Sequence, residues 1–137
     1  MEETFVMLKP DCVQRKLTGQ VIDRIERKGL DVVEMQMLSV PKEIAESHYA
    51  EHRGKPFFEN LVNYVTSGTV VIMRVSGSNA VENIRSLCGA TDPVKASPGS
   101  IRGDFGSDIS GNIIHASDSK TSAERELSIF FGLAIQE

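Results

Sequence analysis

Apolar and polar positions along the chain alternate between short dense runs and stripes at helical spacing. "TFVMLK" (residues 4–9) is an almost continuous apolar run and reads as a buried central strand, with Pro10 keeping Lys9 extended at its C-terminal mouth. A helix follows, with Thr18 as N-cap, Val21, Ile22 and Ile25 on one face and Gly29 as its stop. "DVVEMQMLSV" (31–40) is a second strand with Val33, Met35 and Met37 on one side, a stripe expected in the core because thioether side chains fill gaps. Pro41 and Pro56 suit the first turns of two helices, 41–50 and 56–66; the second carries Phe58, Leu61, Val62 and Val65, with Phe57 toward the edge of that stripe. "TVVIMRV" (69–75) is a third strand. A helix over 79–88 then presents Val81, Ile84, Leu87 and Cys88, flanked by Arg85, before Gly89 ends it.

Residues 89–112 hold five glycines and two prolines and show no sustained periodicity. A structureless stretch of that length is usually functional or disordered. Because it contains Thr91, Lys95, Arg102 and Asn112, an ordered, anion-facing loop is the expectation. "NIIH" (112–115) reads as a last strand with Ile113 and His115 on one face and Ile114 on the other. The final helix opens on a Thr121–Glu124 capping box and buries Ala123, Leu127, Phe130 and Phe131, with Glu126 beside that stripe. Taken in order, these elements predict one α+β domain over 1–137. Its expected form is a ferredoxin-like βαββαβ antiparallel sheet with an inserted helical pair, a long glycine-rich loop and a C-terminal helix.

Composition narrows the partners. Hydrophobic residues make up 40% of 137, enough for one core. Fifteen basic against nineteen acidic residues give a net charge of -4, a field that discourages non-specific adhesion to nucleic acid or anionic lipid. "MEETFVMLKP" lacks the basic start of a secretory signal, and no apolar run approaches the ~20 residues that span a bilayer. A cytoplasmic protein with no membrane partner is expected. Cys12 and Cys88 have no CxxC spacing and read as two free thiols without a metal role.

The candidate chemistry is anionic. The chain has neither a Walker-type loop nor a G-x-G-x-x-G motif, and "DFG" (104–106) and "RGD" (102–104) stand without the context that would give them meaning. No HExxH or paired His/Cys spacing supports a protein-held metal. Lys9, Arg85 and Arg102 are candidate phosphate ligands on separate elements, with His115 near them if the strand ends converge. A neutral imidazole is nucleophilic when a fixed acceptor, such as Glu126 on the next helix, orients its other nitrogen. Taken singly, each residue has a plainer role. A histidine at a strand end is more often structural, exposed cations are more often solvated, and a mid-helix glutamate usually faces water. Tyr49 and Phe57 by default pack a small core, Thr91 and Asn112 occupy turns, and His48 and His52 look like surface histidines. Residue chemistry therefore leaves open a phosphotransferase, a ferredoxin-like module binding nucleotide or nucleic acid, and a phospho-carrier modified on His115. Against the nucleic-acid module stand the net charge and the single aromatic within the two central runs.

Six blocks resemble, in order, segments of the nucleoside diphosphate kinase family: "TFVMLKPDCVQR", "HYAEHRGKPFF", "LVNYVTSGTVVIM", "GATDPVKASPGSIRGDF", "NIIHASDS" and "SAERELSIFF". The resemblance implies a two-step exchange in which a nucleoside triphosphate phosphorylates His115 and a different nucleoside diphosphate collects the group. Glu126 would orient His115, with Ser117 beside the pair. Lys9, Tyr49, Arg85, Thr91 and Arg102 would serve phosphate binding and catalysis, and Lys9 and Asn112 the ribose hydroxyls. Phe57 would stack on the base, with Leu61 and Ile109 as apolar neighbours. A base gripped by its π-face alone implies broad specificity for base and sugar. Mg²⁺ would arrive on the nucleotide phosphates, with no metal held by the protein. A homo-oligomer built on a common dimer is implied, a hexamer in preference to a tetramer, with fewer tail contacts than in longer members. Two positions depart from the family pattern. Cys12 stands where glycine is common, questioning the local turn and introducing a redox-sensitive thiol near Lys9, and Ala116 replaces a frequent glycine after the histidine.

Overall fold

The computed structural model describes residues 1–109 and 111–135. Its strands are β1 (Glu2–Leu8), β2 (Asp31–Leu38), β3 (Val70–Gly77) and β4 (Ile114–Ala116). Its helices are α1 (Pro10–Gln14), α2 (Thr18–Arg27), α3 (Lys42–His48), α4 (Phe58–Val65), α5 (Ala80–Cys88), α6 (Ile101–Phe105) and α7 (Lys120–Ile135), with a 3-10 turn at Ala50–His52. The strands form one antiparallel sheet in the order β2-β3-β1-β4, the expected α+β, ferredoxin-like arrangement.

β1 and β3 are central and covered on both faces, which is why they read as continuous apolar runs. Period-two alternation divides their side chains between two layers. Val6, Leu8, Val71 and Met73 pack with Val21, Ile25, Ile84 and Ile101 beneath α2, α5 and α6. Phe5, Met7 and Ile72 pack with Ala45, Val62, Leu127, Phe130 and Phe131 beneath α3, α4 and α7. Each fully buried aromatic or aliphatic side chain contributes about 1.5–3 kcal/mol relative to exposure. The inserted helical pair and the last helix thus cover the face that a bare βαββαβ unit leaves open.

Several expectations are corrected. The Val33, Met35 and Met37 stripe is not core: these side chains are 52%, 54% and 61% exposed. β2 is an edge strand, and a register shift between Val32 and Glu34 sends Val32 to one layer and Leu38 to the other, leaving the stripe uncovered. Thr18 is the first residue of α2 and Leu17 takes the cap position, while α7 is capped by Ser119, whose Oγ accepts the Ser122 N–H at 3.1 Å, and not by Thr121. Pro41 caps α3, which ends at His48, and α4 begins at Phe58, two residues beyond Pro56.

The 89–112 stretch is ordered but not structureless. It contains α6, fastened by an Arg24–Asp104 ion pair of 2.6 Å and by Arg15 donating to the Phe105 carbonyl at 2.7 Å. Ile113 lies outside β4 with φ +76 and packs in the same layer as Ile114, not on the face of His115. Cys12 sits in α1, where no left-handed backbone is required, and burial pushes its thiol up to about 12. Full burial disfavours the thiolate that oxidation requires. Among the described residues, no helix is long and apolar enough to cross a membrane.

Candidate active site

The end of β1 and the start of β4 are stitched together by backbone. The Lys9 N–H donates to the Ile113 carbonyl at 2.9 Å, and Asp11 Oδ2 accepts the Ile113 N–H at 3.2 Å. Positive φ at a β-branched residue is strained by about 1–3 kcal/mol, and here it turns the chain between Asn112 and Ile114. Asn112 then meets Lys9: Lys9 Nζ donates to its Oδ1 at 2.7 Å, and its Nδ2 donates to the Thr91 carbonyl at 3.2 Å. Burial, followed by the charge of Arg102, brings the Lys9 ammonium down to about 8.

Arg102 reaches the same place from α6. Its Nη1 donates to the Gly89 carbonyl at 2.9 Å and its Nη2 to the Ile114 carbonyl at 2.7 Å. Burial lowers its pKa, yet a guanidinium stays charged at any working pH. Lys9, Arg85, Thr91, Arg102, Asn112 and His115 line one cavity of about 460 Å³. A larger hollow of about 820 Å³ between β1 and α7 is lined by Glu2, Glu3, Arg74 and Lys120. Arg74 there is paired with Glu3, and Lys120 with Glu2, so that hollow offers no comparable row of unpaired cations.

His115, opposite Met7 of β1, projects a ring that is 24% exposed at the cavity. Its Nε2 lies 2.9 Å from Glu126 Oε1, and Ser117 Oγ donates to the same oxygen at 2.6 Å. A carboxylate accepts, so the Nε2 proton is held and Nδ1 keeps its lone pair. Glu126 is buried on α7 instead of facing water. The back of the ring meets Phe5 at 6.0 Å and His48 at 4.8 Å between centroids. An acceptor nitrogen held rigidly beside several cations can take up a phosphoryl group and disperse the charge that develops on it.

Other expected residues stand apart from this wall. Tyr49 packs on His48 at 4.5 Å, and burial, with the Glu126 carboxylate near, pushes its hydroxyl up to about 12. Phe57 is 44% exposed and stands edge-on to His52; Leu61 is half-buried and Ile109 is exposed. None of these four lines the cavity. Two residues near the site escape sequence reasoning. Arg125 lies on the cavity wall and donates to the Ser47 and His48 carbonyls. His48 is buried, not at the surface, and burial together with His115 holds it well below its usual range, hence neutral. Its three-residue spacing from the buried Ala45 is the one signal that points inward.

A nucleoside diphosphate kinase profile matches residues 2–134. The chain belongs to the nucleoside diphosphate kinase family. A nucleoside diphosphate kinase of Archaeoglobus fulgidus is 63% identical over 131 residues, 96% of this chain and 87% of that protein. Another, from Pyrococcus furiosus, is 55% identical over 134 residues, 96% of this chain and 83% of that protein. Among solved structures, a nucleoside diphosphate kinase from Halobacterium salinarum in complex with CDP superposes with a TM-score of 0.93 at 48% identity, covering 95% of this chain and 87% of that one. The apo enzyme of Encephalitozoon cuniculi gives 0.94 at 41% identity, covering 96% and 90%. Membership makes the chain a kinase enzyme, and the binding-module and phospho-carrier alternatives are set aside.

Proposed function

We propose that His115 is the phosphoryl acceptor through which this chain exchanges the γ-phosphoryl group of a nucleoside triphosphate with a nucleoside diphosphate. In the first half-reaction an Nδ1–P bond forms as the bond from the γ-phosphorus to the β,γ-bridging oxygen breaks, and the diphosphate leaves. In the second, another diphosphate reverses these events. The observation that carries this reading is the Ser117–Glu126–His115 chain of 2.6 and 2.9 Å at the foot of a cavity lined by cations. Because phosphoryl transfer passes through a loose transition state, positioning and charge stabilisation by Lys9, Arg85 and Arg102 do most of the work.

Thr91 and Arg125 add donors along the phosphates, Tyr49 acts from behind the acceptor, and Lys9 with Asn112 receives the ribose hydroxyls. Phe57 stacks on the base with Leu61 and Ile109 beside it, which favours broad base and sugar specificity. The family generally uses a divalent metal. The cavity wall sets Glu51, Asp118 and Glu126 against Lys9, Arg85, Arg102 and Arg125, a lining that fits Mg²⁺ arriving on the nucleotide phosphates better than an all-oxygen protein cage. Bound there, Mg²⁺ would neutralise phosphate charge.

A single domain over 1–137, a cytoplasmic location and a homo-oligomer, a hexamer in preference to a tetramer, complete the reading. The uncovered Val33, Met35 and Met37 stripe on an edge strand supports assembly. Light scattering of Met35→Lys against wild type tests it, with a smaller particle expected. For the reaction, γ-labelled ATP with Mg²⁺ is expected to give an acid-labile, base-stable label that unlabelled GDP, CDP or dTDP each removes. His115→Ala is expected to take up none. A folded wild type that gains no label would sink the assignment.

A further inference from the structure

Behind His115 lies a second imidazole that phosphoryl transfer leaves unused. His48 is 5% exposed, and neither its Nδ1 nor its Nε2 has a hydrogen-bond partner among the described residues. A buried polar group without a partner costs about 1–3 kcal/mol, so a ring held in this way is short of a ligand. It stands edge-on to the His115 ring, centroids 4.8 Å apart and planes at 89°. One donor atom each from His48, His115 and Glu126 can be chosen so that all three lie within 4.8 Å of one another.

Two imidazoles and a carboxylate are a zinc donor set, and tetrahedral bonds of about 2.0–2.1 Å need donors roughly 3.3 Å apart. Glu126 Oε1 and His115 Nε2 already stand 2.9 Å apart, so approach of His48 is the main adjustment required. Ser117, which donates to Glu126, supplies the outer hydrogen bond that keeps a ligating carboxylate oriented.

We propose that His48, His115 and Glu126 form a site for a transition-metal ion of the zinc or copper type, and that the ion, replacing the proton on His115 Nε2 (released to solvent), draws electron density from the ring, weakens Nδ1 as a nucleophile and so slows phosphoryl transfer. The site requires no particular role for His115, whereas the inhibition rests on His115 being the acceptor. On the cavity wall Lys9, Arg85, Arg102 and Arg125 oppose added positive charge and are only partly offset by Glu51 and Asp118. The ion is therefore selected by affinity for nitrogen, which favours Zn²⁺ and Cu²⁺ and disfavours the oxygen-seeking Mg²⁺.

The test is calorimetric titration of metal-free, nucleotide-free full chain with Zn²⁺. Expected are one ion bound per chain, no comparable binding of Mg²⁺, and affinity at least about 10-fold weaker in both His48→Asn and Glu126→Gln. His52→Asn leaves it unchanged. Co²⁺ in place of zinc gives visible ligand-field bands without thiolate charge transfer, which excludes Cys12 and Cys88 as ligands. With γ-labelled ATP, zinc slows labelling of the wild type, a chelator restores it, and labelling of His48→Asn is insensitive to zinc relative to its own zinc-free rate. Absence of zinc binding, or binding that persists in both variants with wild-type circular dichroism, overturns the site. A zinc-free wild type that takes up no label instead overturns the acceptor role, while the titration still decides the metal site.

Discussion

Replacing Glu126 by alanine isolates what the buried carboxylate does for His115. Glu126 Oε1 accepts from Ser117 at 2.6 Å and pairs with His115 Nε2 at 2.9 Å. A hydrogen bond to a charged group contributes about 1.5–3 kcal/mol, and without it the His115 ring is free to rotate and to exchange tautomers. If that whole difference favours the arrangement with the Nδ1 lone pair facing the phosphate, phosphorylation slows about 10- to 150-fold. Glu126→Gln retains volume and an acceptor oxygen but loses the charge, and is expected to slow the step about 10-fold or less. Alanine also strands the Ser117 hydroxyl, whose remaining acceptor is the Phe5 carbonyl at 3.5 Å, so stability falls by about 1–3 kcal/mol. Rapid-quench labelling at saturating γ-labelled ATP reads the chemical step, and a denaturant melt reads the stability. A folded Glu126→Ala phosphorylated at the wild-type rate would refute the reasoning, as would a glutamine variant as slow as alanine.

Lys9 gives a pH prediction with opposite signs for binding and stability. With its pKa brought down to about 8 from 10.5, the folded protein loses the Lys9 charge as pH rises through about 8, so kcat/KM for ATP falls there; Lys9→Arg is expected to flatten the profile. Between pH 8 and 10.5 the unfolded chain binds more protons than the native one, so stability attributable to Lys9 rises with pH, which urea melts of wild type and Lys9→Met will show or exclude. Phe57→Ala is expected to weaken ADP and CDP binding alike by about 1–3 kcal/mol in titration calorimetry, with little loss of stability at a side chain 44% exposed; a loss for one base only contradicts stacking. In Gly103→Ala, a Cβ would stand 2.1 Å from the Ser97 carbonyl oxygen, so α6 must shift and carry Arg102 with it. A stability loss of about 1–3 kcal/mol together with a raised KM is expected, and an unchanged urea midpoint argues against that packing.

The site is only partly legible in the chain. Lys9 and His115 can be singled out because a lysine closing a buried strand and a histidine after two isoleucines break an apolar pattern. Ser117 and Tyr49 carry no such signal and are distinguished only by likeness to a family. His48 is read as a surface residue because α3 is seven residues long, too short for its buried Ala45 and His48 to establish a stripe.

What the sequence determines by itself is local. Dense apolar runs specify the central strands, and Gly29 and Gly89, at φ +91 and +79, end the helices before them because a left-handed residue stops a helix without a Cβ clash. What only the tertiary structure decides is what covers each face. The Met35 and Met37 stripe has the same period as a core strand, yet β2 is an edge and the stripe lies open. Glu126 has the spacing of a solvated glutamate, yet α7 lies across β1 and presses it against His115 and Ser117. Periodicity reports which side chains share a face. The partner of that face is chosen by contacts far apart in the chain, and those depend on how the whole sheet and its helices pack.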